Sequence, residues 1–389
     1  MVFELILFLL RKFVQNTIMK LRNTIIIFLA VAFLGCNNKP QPPVEGIQNI
    51  VLKESKDILP ISSFAEKVDY VELKAVESGL EIGVIEDVKV LGDDLIVKHR
   101  MSGNESFLRF TKSGEYVIEL VGTKTPQIKN PFDIITYKDG FAVLAENGIH
   151  AVSKDGKYLQ KLERGNMPGT HFFFKDDAFY VVNQSKPGNV LYSFPAKNKA
   201  QGRSALLPEP VLRNTYSSVE QFGKEQVHYF SVLSDSVYSY RKENIAEPVY
   251  SFSGDEMPTF AEVCRNLPDK EDKEILRYLR ETEHVIVRKY FENRDYIFLT
   301  YWVGSDPTAA IFDKKSNEIR YFGFGVNDID GGVWDEAICM TDKNELYIPI
   351  TAYKVGGHKI SNKKAKGFDR LQEHIAASGN PVIMRCKLR

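Results

Sequence analysis

This sequence predicts an all-β fold built from repeated antiparallel sheets, and the stretch Asn130–Leu162 indicates it most directly. Four short apolar segments alternate there with turn dipeptides eight residues apart. Asp-Gly and Asn-Gly pairs tolerate the positive φ of tight hairpins, so the stretch predicts a four-stranded meander. One such meander cannot bury both faces, which predicts that similar sheets stack beside it. The dipeptides are Asp139-Gly140, Asn147-Gly148 and Asp155-Gly156.

A recurring turn supports the repetition. In five places an apolar segment runs into a turn centred on a lysine, and successive lysines are 42, 43, 45 and 72 residues apart. A period of about 40–50 residues with four strands per unit is typical of a β-propeller blade, and one insertion explains the long last interval. The lysines are Lys112, Lys154, Lys197, Lys242 and Lys314.

Taken in order, the repeats predict six blades. Blade six begins near Trp334 and is one strand short when the chain ends after Pro381–Lys387. The alternating segment Val68–Leu73 precedes blade one without a partner, so we expect it to complete blade six and remove an exposed edge. The other blades are expected at Glu86–Val121, Asn130–Leu162, His171–Leu207, Ser217–Phe252 and Val285–Phe322.

Two insertions interrupt this pattern, near residues 254–284 and 352–380. Both carry apolar residues at helical spacing, for example Phe260 and Val263 in the first and Phe368 and Leu371 in the second. The second ends in Ser378-Gly379-Asn380-Pro381, which is typical of a helix stop. Such helices either shape the entrance of a propeller or cap its loops.

Composition agrees with one large domain. The 389 residues are 43% hydrophobic and 12% aromatic, enough for a sizeable core. Formal charge is zero, and without residues 1–35 the chain has 47 Lys and Arg against 50 Asp and Glu. This balance argues against nucleic-acid binding, which normally shows as a basic excess.

The N-terminus has the pattern of a targeting segment. A short basic stretch begins at Met19, which is the expected true start, and an apolar run, Thr24–Leu34, leads to Gly35-Cys36. The pattern looks like a bacterial lipoprotein signal with Cys36 as the lipidated residue. An uncleaved membrane-anchoring helix is the alternative, but four basic residues interrupt the run that spanning requires.

These features divide the chain into a leader at 1–35, a lipidated cysteine with a polar, Pro-rich tether at 36–65, and the propeller at 66–389. The remaining cysteines, Cys264, Cys339 and Cys386, have no Cys-x-x-Cys spacing and are expected to be mainly buried thiols. The sequence leaves open whether two of these cysteines form a disulfide.

Candidate chemistry is sparse. The seven histidines form no His-x-His or His-x-x-x-His pair, and the chain has no nucleophile elbow or phosphate-binding loop, so we predict no metal site and no cofactor. Asp328-Ile329-Asp330-Gly331-Gly332 lacks the downstream ligands of a calcium-binding EF-hand and is interpreted as an Asx-rich turn. Trp334 is a binding candidate that could stack on a sugar or fill a wedge between blades.

Asp87 and Asp133 are the other candidates, because they occupy the same place in successive blades. The innermost strand of a blade lines the central channel, so paired carboxylates there could bind a cation or a polar ligand. The alternative, which we favour, is that each aspartate accepts backbone N–H groups at the turn entering its blade.

Four segments point to a known family: Gly35-Cys36, Val68–Leu73, Asn130–Ile134 and Gly379–Leu388. In these segments the chain resembles the six-bladed β-propeller lipoproteins of Bacteroidetes, which are related in architecture to the NHL-repeat propellers. The resemblance covers roughly residues 50–389 and implies no established reaction. We therefore expect a monomeric, lipid-anchored propeller of the cell envelope, facing the periplasm or the cell surface. It is expected to act as a binding or scaffolding module for a carbohydrate, peptide or protein. A metal-dependent, lactonase-like hydrolase and a polysaccharide-handling accessory protein are the alternatives.

Overall fold

The computed structural model describes residues 47–389 except for 165–168, 183–188, 196–203, 207–216, 223–225, 241–246, 267–276, 280 and 360–367. The predicted leader, Cys36 and the first part of the predicted tether lie outside these residues. The strands form six radiating antiparallel sheets, so the predicted six-bladed propeller is confirmed. In the described part of the chain, no helix is long and apolar enough to cross a membrane.

The strands follow the chain in blade order. The first three are β1 (Gln48–Leu52), β2 (Ile58–Pro60) and β3 (Ala65–Glu72). Blade one is β4 (Val84–Leu91), β5 (Asp94–Met101), β6 (Asn104–Thr111) and β7 (Tyr116–Val121). Blade two is β8 (Pro131–Tyr137), β9 (Gly140–Ala145), β10 (Gly148–Ser153) and β11 (Tyr158–Arg164). Blade three is β12 (His171–Lys175), β13 (Ala178–Val182), β14 (Asn189–Pro195) and β15 (Ser204–Leu206).

The second half continues the same order. Blade four is β16 (Ser217–Phe222), β17 (Gln226–Ser231), β18 (Ser236–Ser239) and β19 (Glu247–Gly254). Blade five is β20 (Val285–Glu292), β21 (Tyr296–Val303), β22 (Asp306–Asp313) and β23 (Glu318–Phe322), followed by the short β24 (Phe324–Val326). Blade six contains β25 (Cys339–Met340), β26 (Glu345–Ile350) and β27 (Val382–Leu388).

The propeller closes as the sequence predicts. β3 is the outermost strand of blade six and pairs antiparallel with β27, with Val382 opposite Glu72 and Cys386 opposite Val68. The N-terminal and C-terminal ends of the propeller therefore share one sheet, and the outer edge of β27 is covered.

The chain before β3 is more structured than the predicted tether at 36–65. β1 pairs parallel with β19 and becomes a fifth strand of blade four, and β2 pairs parallel with β24. We call residues 48–64 the N-terminal strap. Its first strand is held because Ile50 and Leu52, two residues apart on one face, are buried against blade four.

The turns of blade two differ in detail from the prediction. Gly148 and Gly156 take positive φ angles of 140° and 72°, but Gly140 does not. In the first hairpin, Lys138 has the positive angle, 49°. Gly140 is required for a different reason: a Cβ there would collide with the carbonyl oxygen of Val152 on β10.

Helices occur in both predicted insertions. α1 (Phe260–Arg265) begins with a capping box between Thr259 and Glu262. α2 (Ala352–Gly357) and α3 (Phe368–Ser378) occupy the second insertion, and α3 ends where Gly379 adopts a φ of 72°. Residues 267–276 of the first insertion lie outside the described residues.

Aromatic side chains fill the spaces between neighbouring blades. Phe173 of blade three stacks on Tyr229 of blade four at 6.2 Å between ring centroids, and Phe230 lies 5.8 Å from Tyr290 of blade five. Large flat rings suit the wedge between diverging sheets, which explains the high aromatic content. Cys264, Cys339 and Cys386 are free thiols.

Candidate functional site

The structure places Asp87 and Asp133 in equivalent positions on inner strands β4 and β8. Each follows a β-bulge, which lies between Ile85 and Asp87 in one blade and between Pro131 and Asp133 in the next. Each carboxylate accepts the backbone N–H of the following residue, at 2.8 Å from Val88 N and 2.7 Å from Ile134 N. Both therefore bind backbone N–H groups, but at a bulge within the inner strand and not in a turn.

Asp133 joins three blades. Its side chain is buried and forms an ion pair with Lys89 of blade one. Its Oδ2 also accepts the backbone N–H of Phe172 in blade three at 3.2 Å. With Ile134 N as a third donor, the carboxylate is well satisfied by protein groups. This arrangement favours a structural link between blades over coordination of a cation.

Three further ionisable groups face these aspartates, and the sequence analysis did not identify them. We call Asp87, Lys89, Asp133, His171 and Glu220 the channel cluster. Lys89 lies two residues after Asp87 on the same face of β4, a spacing that could have revealed it. His171 and Glu220 belong to the inner strands of blades three and four, and no local pattern connects them with Asp87.

Burial changes the protonation of the channel cluster. It raises the pKa of Asp87 to about 6, while the charge of Lys89 opposes this rise and that of Asp133 adds to it. Burial likewise raises the pKa of Glu220 well above its ordinary value, and it lowers the pKa of His171 to about 4. At neutral pH His171 is therefore an uncharged imidazole, with its Nδ1 3.2 Å from the hydroxyl of Ser217.

Among the described residues, no three histidine, cysteine or acidic side chains are grouped so that they could hold a metal ion. The interpretation of Asp328–Gly332 as an Asx-rich turn agrees with its hydrogen bonds. Asp330 Oδ1 accepts the N–H of Gly332 at 2.9 Å, and Asp328 binds the backbone N–H and hydroxyl of Ser62 in the strap.

Substitutions at Asp87 and Asp133 are expected to have opposite effects on stability. The folded pKa of Asp87 lies above its unfolded value of 3.8, so stability is lost as the pH rises from about 4 through 6. Asp87→Asn should therefore stabilise the protein at pH 7.5, by about 1–2 kcal/mol once partial solvation is allowed for, and much less at pH 4. Asp133→Asn leaves Lys89 without its partner and should cost about 3 kcal/mol or more.

Urea unfolding of both variants at pH 4 and 7.5, with Ca²⁺ and with EDTA, measures these effects. Structural roles predict curves that are the same in Ca²⁺ and EDTA. Stabilisation of the wild type by Ca²⁺ that is lost in both variants would instead indicate a metal site.

A second region lies between blades five and six. It is a cavity of about 350 Å³, bordered by β21, β22, the segment 322–325 and the segment 334–337, and we call it the blade five–six groove. Trp302 and Phe324 in its wall are 44% and 56% exposed, and Trp334 is half-buried beside them. The chain has two tryptophans, and both of them line this groove.

Trp334 combines the two roles considered for it. Its ring packs edge-on against Phe64 of the strap, with 5.8 Å between centroids. Its indole edge also lies against Gly325, where a Cβ would be 2.6 Å from Nε1, so no side chain fits at that position. One part of the ring thus fills a wedge, while another part lines the groove.

Polar groups surround the aromatic wall. Glu336 accepts a hydrogen bond from the hydroxyl of Thr300 at 2.9 Å and lies 3.2 Å from Lys289 Nζ. Asp335 forms an ion pair with Lys354 of α2. The sequence analysis identified Trp334 but missed Trp302, whose signal is an aromatic residue at an outward-facing position of a strand.

The fold defines the class of this protein as a six-bladed β-propeller. The chain belongs to the family of the domain of unknown function DUF4934, which matches residues 47–387. A search of curated proteins finds no match.

Two solved structures are similar to this chain, and the first of them supports the fold. A presumed exported protein of Bacteroides fragilis is similar with a TM-score of 0.66 and 12% identity, over 88% of this chain and 100% of that one. Virginiamycin B lyase of Staphylococcus aureus is similar with a TM-score of 0.42 and 10% identity, over 83% of this chain and 99% of that one.

Proposed function

We propose that this propeller is a lipid-anchored binding module of the cell envelope and that the blade five–six groove is its ligand site. The observation that carries the proposal is the gathering of Trp302, Phe324 and Trp334 around one cavity of about 350 Å³. Cavities of about this size with aromatic walls and a few polar groups are the usual form of small-ligand sites. Exposing large aromatic rings to water is unfavourable, and a bound ligand would cover them.

The channel cluster is a less suitable ligand site than the groove. Asp133 is saturated by three protein donors, and Lys89 is engaged with it. The groove, in comparison, has the carboxylates of Asp335 and Glu336 at its rim, and their contacts with protein groups leave lone pairs over. Binding is therefore favoured over the metal-dependent hydrolysis considered as an alternative.

Binding can be measured through the tryptophans, because all indole emission of this protein comes from the groove. Purified protein would be titrated with neutral oligosaccharides, an acetylated hydrophobic tripeptide and monomeric dodecylphosphocholine. We expect at least one class to give a saturable change that Trp302→Ala abolishes or strongly reduces. Leu159→Ala, which removes a 59% exposed apolar side chain from β11 in blade two, is the matched control. No saturable change with any class, or an equal change in Trp302→Ala, would contradict a ligand site in the groove.

The anchor is tested separately. If Cys36 carries the lipid, Cys36→Ala should abolish labelling by radioactive palmitate and move the protein from the membrane to the soluble fraction. Cys264→Ala changes a buried cysteine and should keep both properties. Retention of Cys36→Ala in membranes would favour the helical anchor.

A further inference from the structure

The aromatic wall of the blade five–six groove presents flat ring surfaces. Arg288 lies over one face of the Trp302 indole, with its guanidinium carbon 4.9 Å from the ring centroid, and so holds the ring in one orientation. The negative face of an aromatic ring attracts the weakly positive C–H groups that cover one side of a pyranose. A ring of this kind therefore suits a sugar better than a flexible acyl chain.

Both carboxylates at the rim of the groove are paired with lysines. Glu336 is near Lys289, and Asp335 is paired with Lys354, so two carboxylates face two ammonium groups. Each carboxylate has about four lone-pair positions, of which these contacts use only part. The remaining positions can accept hydrogen bonds from hydroxyl groups. A neutral ligand rich in hydroxyls would therefore find acceptors there.

One backbone edge beside the groove is not open to an added peptide strand. Extended peptides are commonly bound by adding a strand to a free sheet edge. β24 lies in the wall of the groove, and one of its edges is already occupied by β2, through the pairs of Ile58 with Phe324 and Pro60 with Val326.

The groove is also rigid on one side. Trp334 is held between Phe64 and the Gly325 backbone, so its ring need not be ordered when a ligand binds. A preformed aromatic surface lowers the entropic cost of binding, which matters most for ligands such as sugars that make few strong contacts.

From these observations we infer that the ligand of the blade five–six groove is a neutral oligosaccharide. The inference rests on the proposed function and adds the ligand class to it. Sugar rings stack on the faces of Trp302 and Trp334, and sugar hydroxyls donate hydrogen bonds to Asp335 and Glu336.

Calorimetric titration with cellohexaose, mannohexaose and laminarihexaose tests the inference, with hexagalacturonate as the charged comparison. At least one neutral hexasaccharide should bind, with an affinity that changes less than twofold between 50 and 500 mM NaCl. Trp302→Ala should weaken this binding about tenfold, as expected for the loss of one stacking ring, and Trp302→Phe should restore part of it. Glu336→Gln should weaken it less, because the amide oxygen still accepts hydrogen bonds.

The outcomes separate this inference from the proposed function. If only the tripeptide or dodecylphosphocholine binds, and binding depends on Trp302, the groove is a ligand site and the saccharide inference is wrong. Tighter binding of hexagalacturonate, with strong salt dependence, would also contradict a neutral ligand. If no class binds, both the inference and the proposed function fail.

Discussion

Replacing Glu292 with glutamine is expected to lower the free energy of unfolding by about 3–5 kcal/mol, as when one member of a buried ion pair is removed. The fully buried Glu292 carboxylate, in blade five, contacts Lys314 and the hydroxyl of Tyr290, and lies 2.6 Å from His228 Nδ1 in blade four. Glutamine keeps the size of the side chain but removes the charge. Lys314 would then remain among aromatic rings, 4.8 Å from the centroid of Phe222, without a counter-charge.

The stability that Glu292 contributes decreases as the pH falls. Burial alone would raise the pKa of Glu292, but the hydrogen bonds and charges of His228 and Lys314 outweigh it and hold the pKa below its ordinary value of 4.5. The stabilisation is therefore complete above the unfolded pKa and is lost as the pH falls through the folded pKa.

Urea unfolding at pH 7, followed by tryptophan emission, measures the loss in Glu292→Gln. Glu115→Gln is the matched control, because Glu115 forms an exposed ion pair with Lys74 and its loss should hardly move the midpoint. A change below about 1 kcal/mol in Glu292→Gln, with an unchanged m-value, would mean that the buried network contributes little net stability.

Removing residues 1–75 is expected to destabilise the protein even more strongly, because it deletes β3 and opens blade six. β3 pairs with β27 at seven positions and contributes the buried Ala65 and Val71. At roughly 0.5–1.5 kcal/mol per hydrogen bond, with apolar burial in addition, the loss should exceed about 5 kcal/mol. We expect a protein that unfolds at a much lower temperature or aggregates through the exposed edge of β27.

Two shorter truncations serve as controls. Deleting residues 1–46 leaves every described strand in place and should keep the wild-type melting temperature. Deleting residues 1–64 removes the N-terminal strap but keeps β3, and should give an intermediate loss. If the protein without residues 1–75 melts at the wild-type temperature, β3 does not provide the closure.

Much of the fold could be predicted because its signals are local. Turn dipeptides and alternating apolar residues specify each four-stranded sheet, and counting strands left Val68–Leu73 as the one that completes blade six. The strap was missed because β1 and β2 pair parallel with strands about 200 and 266 residues away. No turn signal marks such a pairing, and only the alternation of Ile50 and Leu52 indicates a strand.

The candidate site was less predictable than the fold. Asp87 and Asp133 could be aligned because each lies seven residues before a turn position, Asp94 in blade one and Gly140 in blade two. The role of Asp133, however, depends on its ion pair with Lys89, which forms only where two blades meet. The groove likewise combines Trp302 of blade five with Trp334 near blade six. Spatial neighbours that come from different sheets leave no common pattern in the sequence.

If Cys36 anchors the propeller, as proposed, the parallel pairing of β1 has a mechanical consequence. Any pull transmitted along the chain from the membrane reaches β1 first, before β2 and β3. A force along the axis of β1 loads its five residue pairs with β19 together, in shear, whereas a force across the strand would separate them one after another. Blade four would therefore bear the load, and the strand that closes blade six would be shielded from it.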